Sequence, residues 1–341
     1  MKLLSFVIPA YNSENYLEKC LSSMLLPELL EKLEIIVVND GSSDRTEKIA
    51  LGFCGQYPGT VRLITQKNLG HGGALNTGCA AAQGKYLKVI DADDWVEIRS
   101  LPAFVKALEK CESDVVLTHY RTVNITTGEE KAWRCYPEAF GKAMTLADVM
   151  HRWGDFDRAL TFHGIAYRTD FYHRMGLKLS EHIFYEDHEF ATFPCCHAET
   201  VTPLDIFLYV YRIGDVNQSV SDANQLKRIS HMEAVLKRLL TEGEKLPPGA
   251  GRDYAAAKAQ GLLMSYLTTA LLVCPDKARG RALAEKAVEA LRPPFPENYR
   301  QIQGKYKALV LCSRLNITGD RFQALLDNPL IRKIRGKHSF S

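Results

Sequence analysis

Lys88-Val-Ile-Asp91-Ala-Asp93-Asp94-Trp95 sets three carboxylates within four positions, directly after the apolar run from Tyr86 to Ile90. An apolar run that ends abruptly in acid reads as a buried parallel strand carrying charge to its C-terminal end. Open α/β sheets bind their ligands at that end. Asp91 and Asp93 are two apart, so strand alternation sends both side chains the same way if the extended geometry continues. Paired carboxylates repel unless a cation or proton lies between them. Hard divalent cations such as Mg²⁺ and Mn²⁺ prefer these oxygen ligands and also bind phosphates. The stretch therefore points to a metal–diphosphate site. The alternative is an acidic loop in which Asp94 caps the next helix.

Working outward, strand and helix signals alternate over the first 120 residues. Strands are expected at 3–8, 35–38, 61–64, 86–90 and 115–119. Helices are expected at 13–25, 46–54, 72–82 and 101–110, with Asp44 capping the second of them. This order predicts an α/β fold, a mostly parallel, Rossmann-like doubly wound sheet with helices on both faces. Thr126-Thr127-Gly128 reads as a hairpin turn. After 220 the pattern is helical, at 226–240, 254–273, 277–291 and 299–315. The expected division is a nucleotide-binding and catalytic domain over 1–220 and a helical region over 221–341. The second region is open to an acceptor, oligomer or membrane-surface role.

Composition narrows the class. The chain has 341 residues, 46% hydrophobic and 24% charged, with a net charge of +3. That is ordinary for a globular protein and too weakly basic to argue for nucleic acid. Nine scattered cysteines without a C-x-x-C pair read as reduced thiols of a cytoplasmic protein. The N-terminal apolar run is broken by Pro9 and reads as a strand, not a signal peptide. Residues 262–274 are too short to span a bilayer. The basic end, Arg332-Lys333-Ile-Arg335-Gly-Lys337-His338, is either a peripheral contact with anionic lipid or a solvated tail.

Other candidate residues follow the predicted strands. Pro9-Ala10-Tyr11 ends the first, where Tyr11 could pack on a nucleobase. Asp40-Gly41 ends the second, where Asp40 could accept a base N–H or simply form a turn. Asn68-Leu-Gly70-His71-Gly72-Gly73 opens a helix. Its glycines allow close approach of a phosphate or ribose, or tight packing on the sheet. In Tyr185-Glu186-Asp187-His188-Glu189, at most one or two of the three acids can reach a substrate as a general base. Arg212, before a Gly/Ser loop, could clamp a diphosphate or make a surface salt bridge.

Taken in order, Phe6-Val-Ile-Pro9-Ala-Tyr11-Asn12, Ile36-Val-Val-Asn39-Asp40-Gly41-Ser42-Ser43-Asp44, Asn68-Leu-Gly70, Asp91-Ala-Asp93-Asp94 and Glu186-Asp187 resemble glycosyltransferase family 2. These are inverting enzymes of GT-A fold, and the resemblance covers roughly residues 3–220. It implies that Pro9, Tyr11, Asp40 and Asp91 hold the nucleotide and that Asp93, beside Asp91, binds Mn²⁺ or Mg²⁺. Asp187 becomes the catalytic base. Asn68, Gly70 and Arg212 remain donor-side candidates. The implied donor is a nucleotide-sugar, by default a UDP-hexose. The implied acceptor is a glycan or lipid-linked hydroxyl in bacterial surface polysaccharide synthesis. One departure stands out: where many relatives have Arg-Asn, this chain has Leu75-Asn76, so a contact is missing or comes from elsewhere, with His71 a candidate. The rival readings are a sugar nucleotidyltransferase, which would need a glycine-rich basic loop after the first strand, and a nucleotide-sugar-binding module without turnover.

Overall fold

The structure, a computed structural model, describes residues 2–136, 140–214 and 222–319. It divides into two compact units, Met1–Asp215 and Val216–Ser341.

The first unit is built on one sheet. Its strands are β1 (Leu4–Ala10), β2 (Leu33–Asn39), β3 (Val61–Thr65), β4 (Tyr86–Val89), β5 (Trp95–Val96), β6 (Val115–Asn124), β7 (Glu130–Trp133), β8 (Met144–Thr145), β9 (Ile165–Arg168) and β10 (Thr200–Ile213). The spatial order is β3-β2-β1-β4-β9-β6-β10-β5, with β7 on β6 and β8 on β10. From β3 to β4 every pairing is parallel. β9 then runs antiparallel to both neighbours, β4 and β6. Two reversals restore direction, so β6 and β10 point the same way as β1 to β4. The sheet is parallel in its first half and mixed in its second. One consequence places the site: β9 starts at the edge where β1, β2, β4, β6 and β10 end.

Both faces of the central strands are covered, which explains their continuous apolar sequence. Leu4, Phe6 and Ile8 of β1 cluster with Leu33, Ile35 and Val37 of β2 and with Leu17, Leu21, Phe104 and Leu108 from helices. On the opposite face the helix Gly70–Ala81 lies close enough that a Cβ at Gly78 would fall 2.4 Å from Val7 Cγ1. The small-residue sequence of that helix follows from this approach.

The helix expected at 13–25 spans only Leu17–Ser22. Ser13 and Glu14 are drawn away by the next loop: Ser13 N donates to Thr46 Oγ1 and Glu14 N to Asp44 Oδ2. Asp44 also accepts from Thr46 N, but it is not the cap expected of it: Arg45 holds the capping position of the helix Thr46–Gln56, without a side-chain cap. The 126–128 turn joins β6 to β7, with Gly128 at φ +72°.

In the second unit, helices Ile229–Glu244, Ala250–Thr268, Lys277–Leu291 and Pro296–Arg314 pack through leucine and alanine faces. Among the described residues no helix is long and apolar enough to cross a membrane. The basic run at 332–338 and most of the Gly/Ser loop after Arg212 lie outside the described residues.

Candidate active site

Strand direction gathers the candidate residues of the first unit at one sheet edge. Asp91, Asp93 and Asp94 follow β4, and one carboxylate oxygen from each lies within 4.8 Å of the others. Burial and the charge of Asp91 push the Asp93 carboxyl up to about 6. Burial, then Asp91 and Asp93, raise Asp94 well above the usual carboxylate range. A divalent cation would relieve this repulsion, and hard oxygens suit Mg²⁺ or Mn²⁺. The donor set therefore fits a metal held by Asp93 and Asp91.

Asp94 has a different task. Its Oδ2 accepts from Tyr209 Oη at 2.5 Å and its Oδ1 from Arg212 N at 2.7 Å. It ties the loop to β10 and does not cap the next helix, Leu101–Lys110, whose first flanking residue is Ser100. Arg212 is buried, not a surface residue. Its guanidinium lies 4.3 Å from the Tyr16 ring centroid, and Nη1 is 3.7 Å from Asp93 Oδ2.

At the ends of β1 and β2, Pro9 is buried in the strand and Tyr11 stands 54% exposed. Asp40 is buried; its Oδ1 accepts from Gln66 Nε2 at 2.7 Å and Leu69 N at 2.9 Å. Asn68 Nδ2 donates to the Asp40 carbonyl. The two loops are laced through Asn12, which donates to Ser42 Oγ and accepts from Ser43 N.

The glycines after Asn68 serve packing. Gly70 has φ +77°, and a Cβ there would sit 2.9 Å from His182 N. At Gly72 a Cβ would fall 2.2 Å from Ser180 O. Asn76 continues this seam, exchanging two hydrogen bonds with the Leu179 backbone, while Leu75 is buried in the core. Segment 179–186 is thus clamped against the helix Gly70–Ala81.

That clamp sorts the second acidic cluster. Glu189 is buried and accepts from Ser180 N and Ser180 Oγ. Glu186 is buried, with Oε1 2.6 Å from His71 Nδ1. The other ring nitrogen of His71, Nε2, is 2.8 Å from Asp91 Oδ1. Although burial opposes the charged ring, Asp91 and Glu186 outweigh it and hold His71 well above its usual range. Asp187 is half-buried at the start of the helix Asp187–Thr192, and its carboxylate makes no hydrogen bond or ion pair among the described residues.

Two residues that the sequence reading passed over complete the site. Lys88 is fully buried, donating to the carbonyls of His163 and Ile165 at 2.7 and 2.9 Å. Burial lowers its ammonium to about 7. His163 lies at the start of β9, its ring 4.5 Å from that of Tyr211 and within the fields of Asp91 and Asp187. Neither has a local motif; Lys88 is already on β4, and the reversal of β9 brings His163 and the carbonyls that hold the Lys88 ammonium beside it.

The family model for glycosyl transferase family 2 matches residues 5–174. The chain is 32% identical over 218 residues to the uncharacterized glycosyltransferase EpsJ of Bacillus subtilis, spanning 62% of this chain and 61% of EpsJ, under two thirds of that relative's length. It is 28% identical over 334 residues to the uncharacterized glycosyltransferase YibD of Escherichia coli, spanning 92% of each. A solved structure of S. aureus TarS 1-349 in complex with UDP-GlcNAc superposes with a TM-score of 0.63 at 19% identity, covering 100% of this chain and 93% of that one. The chain belongs to glycosyltransferase family 2 and has its GT-A fold.

Proposed function

We propose that this protein is an inverting, metal-dependent hexosyltransferase that moves a sugar from a nucleotide-sugar to a hydroxyl of a glycan or lipid-linked acceptor. The carrying observation is the arrangement of carboxylates: Asp91 and Asp93 crowd together at the sheet edge, while in the second acidic cluster the Asp187 carboxylate, unlike those of Glu186 and Glu189, has no hydrogen-bond or ion-pair partner among the described residues. UDP is the default nucleotide, supported by the UDP-GlcNAc complex of TarS.

Tyr11 offers an exposed ring for a base, and Asp40 a carboxylate oxygen for a base N–H. Asp93 and Asp91 would hold the cation, which when bound offsets charge on the departing diphosphate. Arg212, 3.7 Å from Asp93, brings positive charge to the same edge. Asp187 takes the proton of the acceptor hydroxyl. The acceptor oxygen then bonds to the anomeric carbon as the bond from that carbon to the phosphate oxygen breaks. The electron pair leaves with the nucleoside diphosphate, and the single displacement inverts the centre.

Thermal melting with UDP, GDP and CMP, each with and without Mn²⁺, tests the donor site. Ligand at 100 times its Kd stabilises by about 2.7 kcal/mol, a shift of several degrees for a chain of this size. A shift with UDP that needs Mn²⁺ is expected. A chain that melts identically in all conditions is not a nucleotide-sugar enzyme of this kind.

A further inference from the structure

His71 bridges two carboxylates that belong to different functions. Nδ1 faces Glu186 Oε1 at 2.6 Å and Nε2 faces Asp91 Oδ1 at 2.8 Å. Each ring nitrogen is thus engaged by one carboxylate oxygen, one from each side of the ring. Glu186 is buried, and its second oxygen, Oε2, has no hydrogen-bond partner among the described residues. Its ionic contact is therefore concentrated on His71. The ring is packed at 5.8 Å from Phe162, and Gly72 leaves room for Glu186, whose Cγ would lie 3.0 Å from a Cβ there. With both nitrogens committed, His71 has no N–H left for a phosphate, so it does not replace the arginine missing at Leu75 by direct contact.

We propose that His71 is a positioning residue that couples the donor-side carboxylate Asp91, through Glu186, to the segment carrying Asp187. This rests on the functional reading above. The tie holds one oxygen of Asp91 and leaves the other for the donor, and it fixes Glu186 one residue from Asp187. A ligand that draws on Asp91 changes the pull on His71 and is felt at Glu186. By linkage, a change at Glu186 is felt in donor affinity.

The test uses the full chain with UDP and Mn²⁺ as the probe, comparing wild type, His71→Gln, Glu186→Gln and the double variant by calorimetry. Residues that orient a metal-binding carboxylate typically contribute about 10-fold or more in affinity. Each single substitution is expected to weaken UDP binding by about that factor, and the double variant to be no weaker than His71→Gln. Nitrogen-edited NMR gives a readout that needs no ligand: wild type should show low-field, hydrogen-bonded imidazole N–H resonances of His71, and Glu186→Leu, which removes the acceptor, should lose the one at Nδ1. Glu186→Gln keeps the test alive if His71→Gln does not fold. Wild-type affinity in Glu186→Gln, or multiplying effects in the double variant, overturns the coupling. Absent resonances with normal UDP binding overturn the bridge alone. Both resonances without UDP binding overturn the donor reading and the coupling with it.

Discussion

Adjacent aspartates here do unlike work. Asp93 is more than a third exposed, faces Arg212 and is free to take a ligand, whereas Asp94 is buried and spent on Tyr209 and Arg212 N. Asp94→Ala should cost about 1–3 kcal/mol of stability by stranding those two donors, read by urea denaturation. Asp93→Ala should leave stability undiminished, or raise it by relieving the repulsion with Asp91, and abolish the Mn²⁺-dependent UDP shift. A reversed pattern would exchange their roles. At Asp187, general-base removal typically slows a reaction by about 10²–10⁴-fold. Asp187→Asn is expected to slow transfer by that much while UDP affinity stays at the wild-type value; weakened UDP binding would make Asp187 a donor ligand instead. The position of Asp187 was readable from sequence only as one of three acids. Its freedom was not, because Glu186 and Glu189 are disqualified by His71 and Ser180, distant in sequence.

Among elements, the helix Gly70–Ala81 shows why its glycines are there. Gly72 backs onto the Ser180 carbonyl, which is backbone and cannot swing aside. Gly72→Ala should therefore destabilise the protein by about 1–3 kcal/mol through overpacking. Gly52, within the helix Thr46–Gln56, has open space around its Cβ position. Gly52→Ala should stabilise by about 0.4–1 kcal/mol. Thermal melting of the two variants checks the pair, and shifts of the same sign would refute the packing account. A glycine-rich helix start looks the same in sequence whether it approaches a phosphate or a neighbouring backbone. The partner at 180–182 lies more than a hundred residues away.

For the molecule as a whole, acid should weaken the fold through His119. Its ring is fully buried, with Nδ1 accepting from Cys135 N, and burial lowers it to about 4. In the unfolded chain it regains an ordinary value near 6.5, so between those values the unfolded state binds more protons. Its contribution is complete above 6.5 and falls as pH drops toward 4, by up to about 1.4 kcal/mol per pH unit. Asp93, raised to about 6, works in the opposite direction over part of this range. The measurement is therefore a difference: urea stability of wild type minus that of His119→Gln at pH 7, 6 and 5. That difference should shrink with acid; a flat one would mean the ring takes up its proton alike in the folded and unfolded chains. Over the same scale, the chain's own pattern determined the α/β class, the strand-end positions of Asp40, Asp91 and Asp93, and the helical second unit, because apolar periodicity and acid after a strand are local signals. Tertiary structure alone decided the reversal of β9, the commitment of Asp94 to β10, the burial of Lys88 and the bridge from Asp91 through His71 to Glu186. Each of these depends on which distant backbone or charge arrives beside a side chain, and a buried polar group's role is set by that partner.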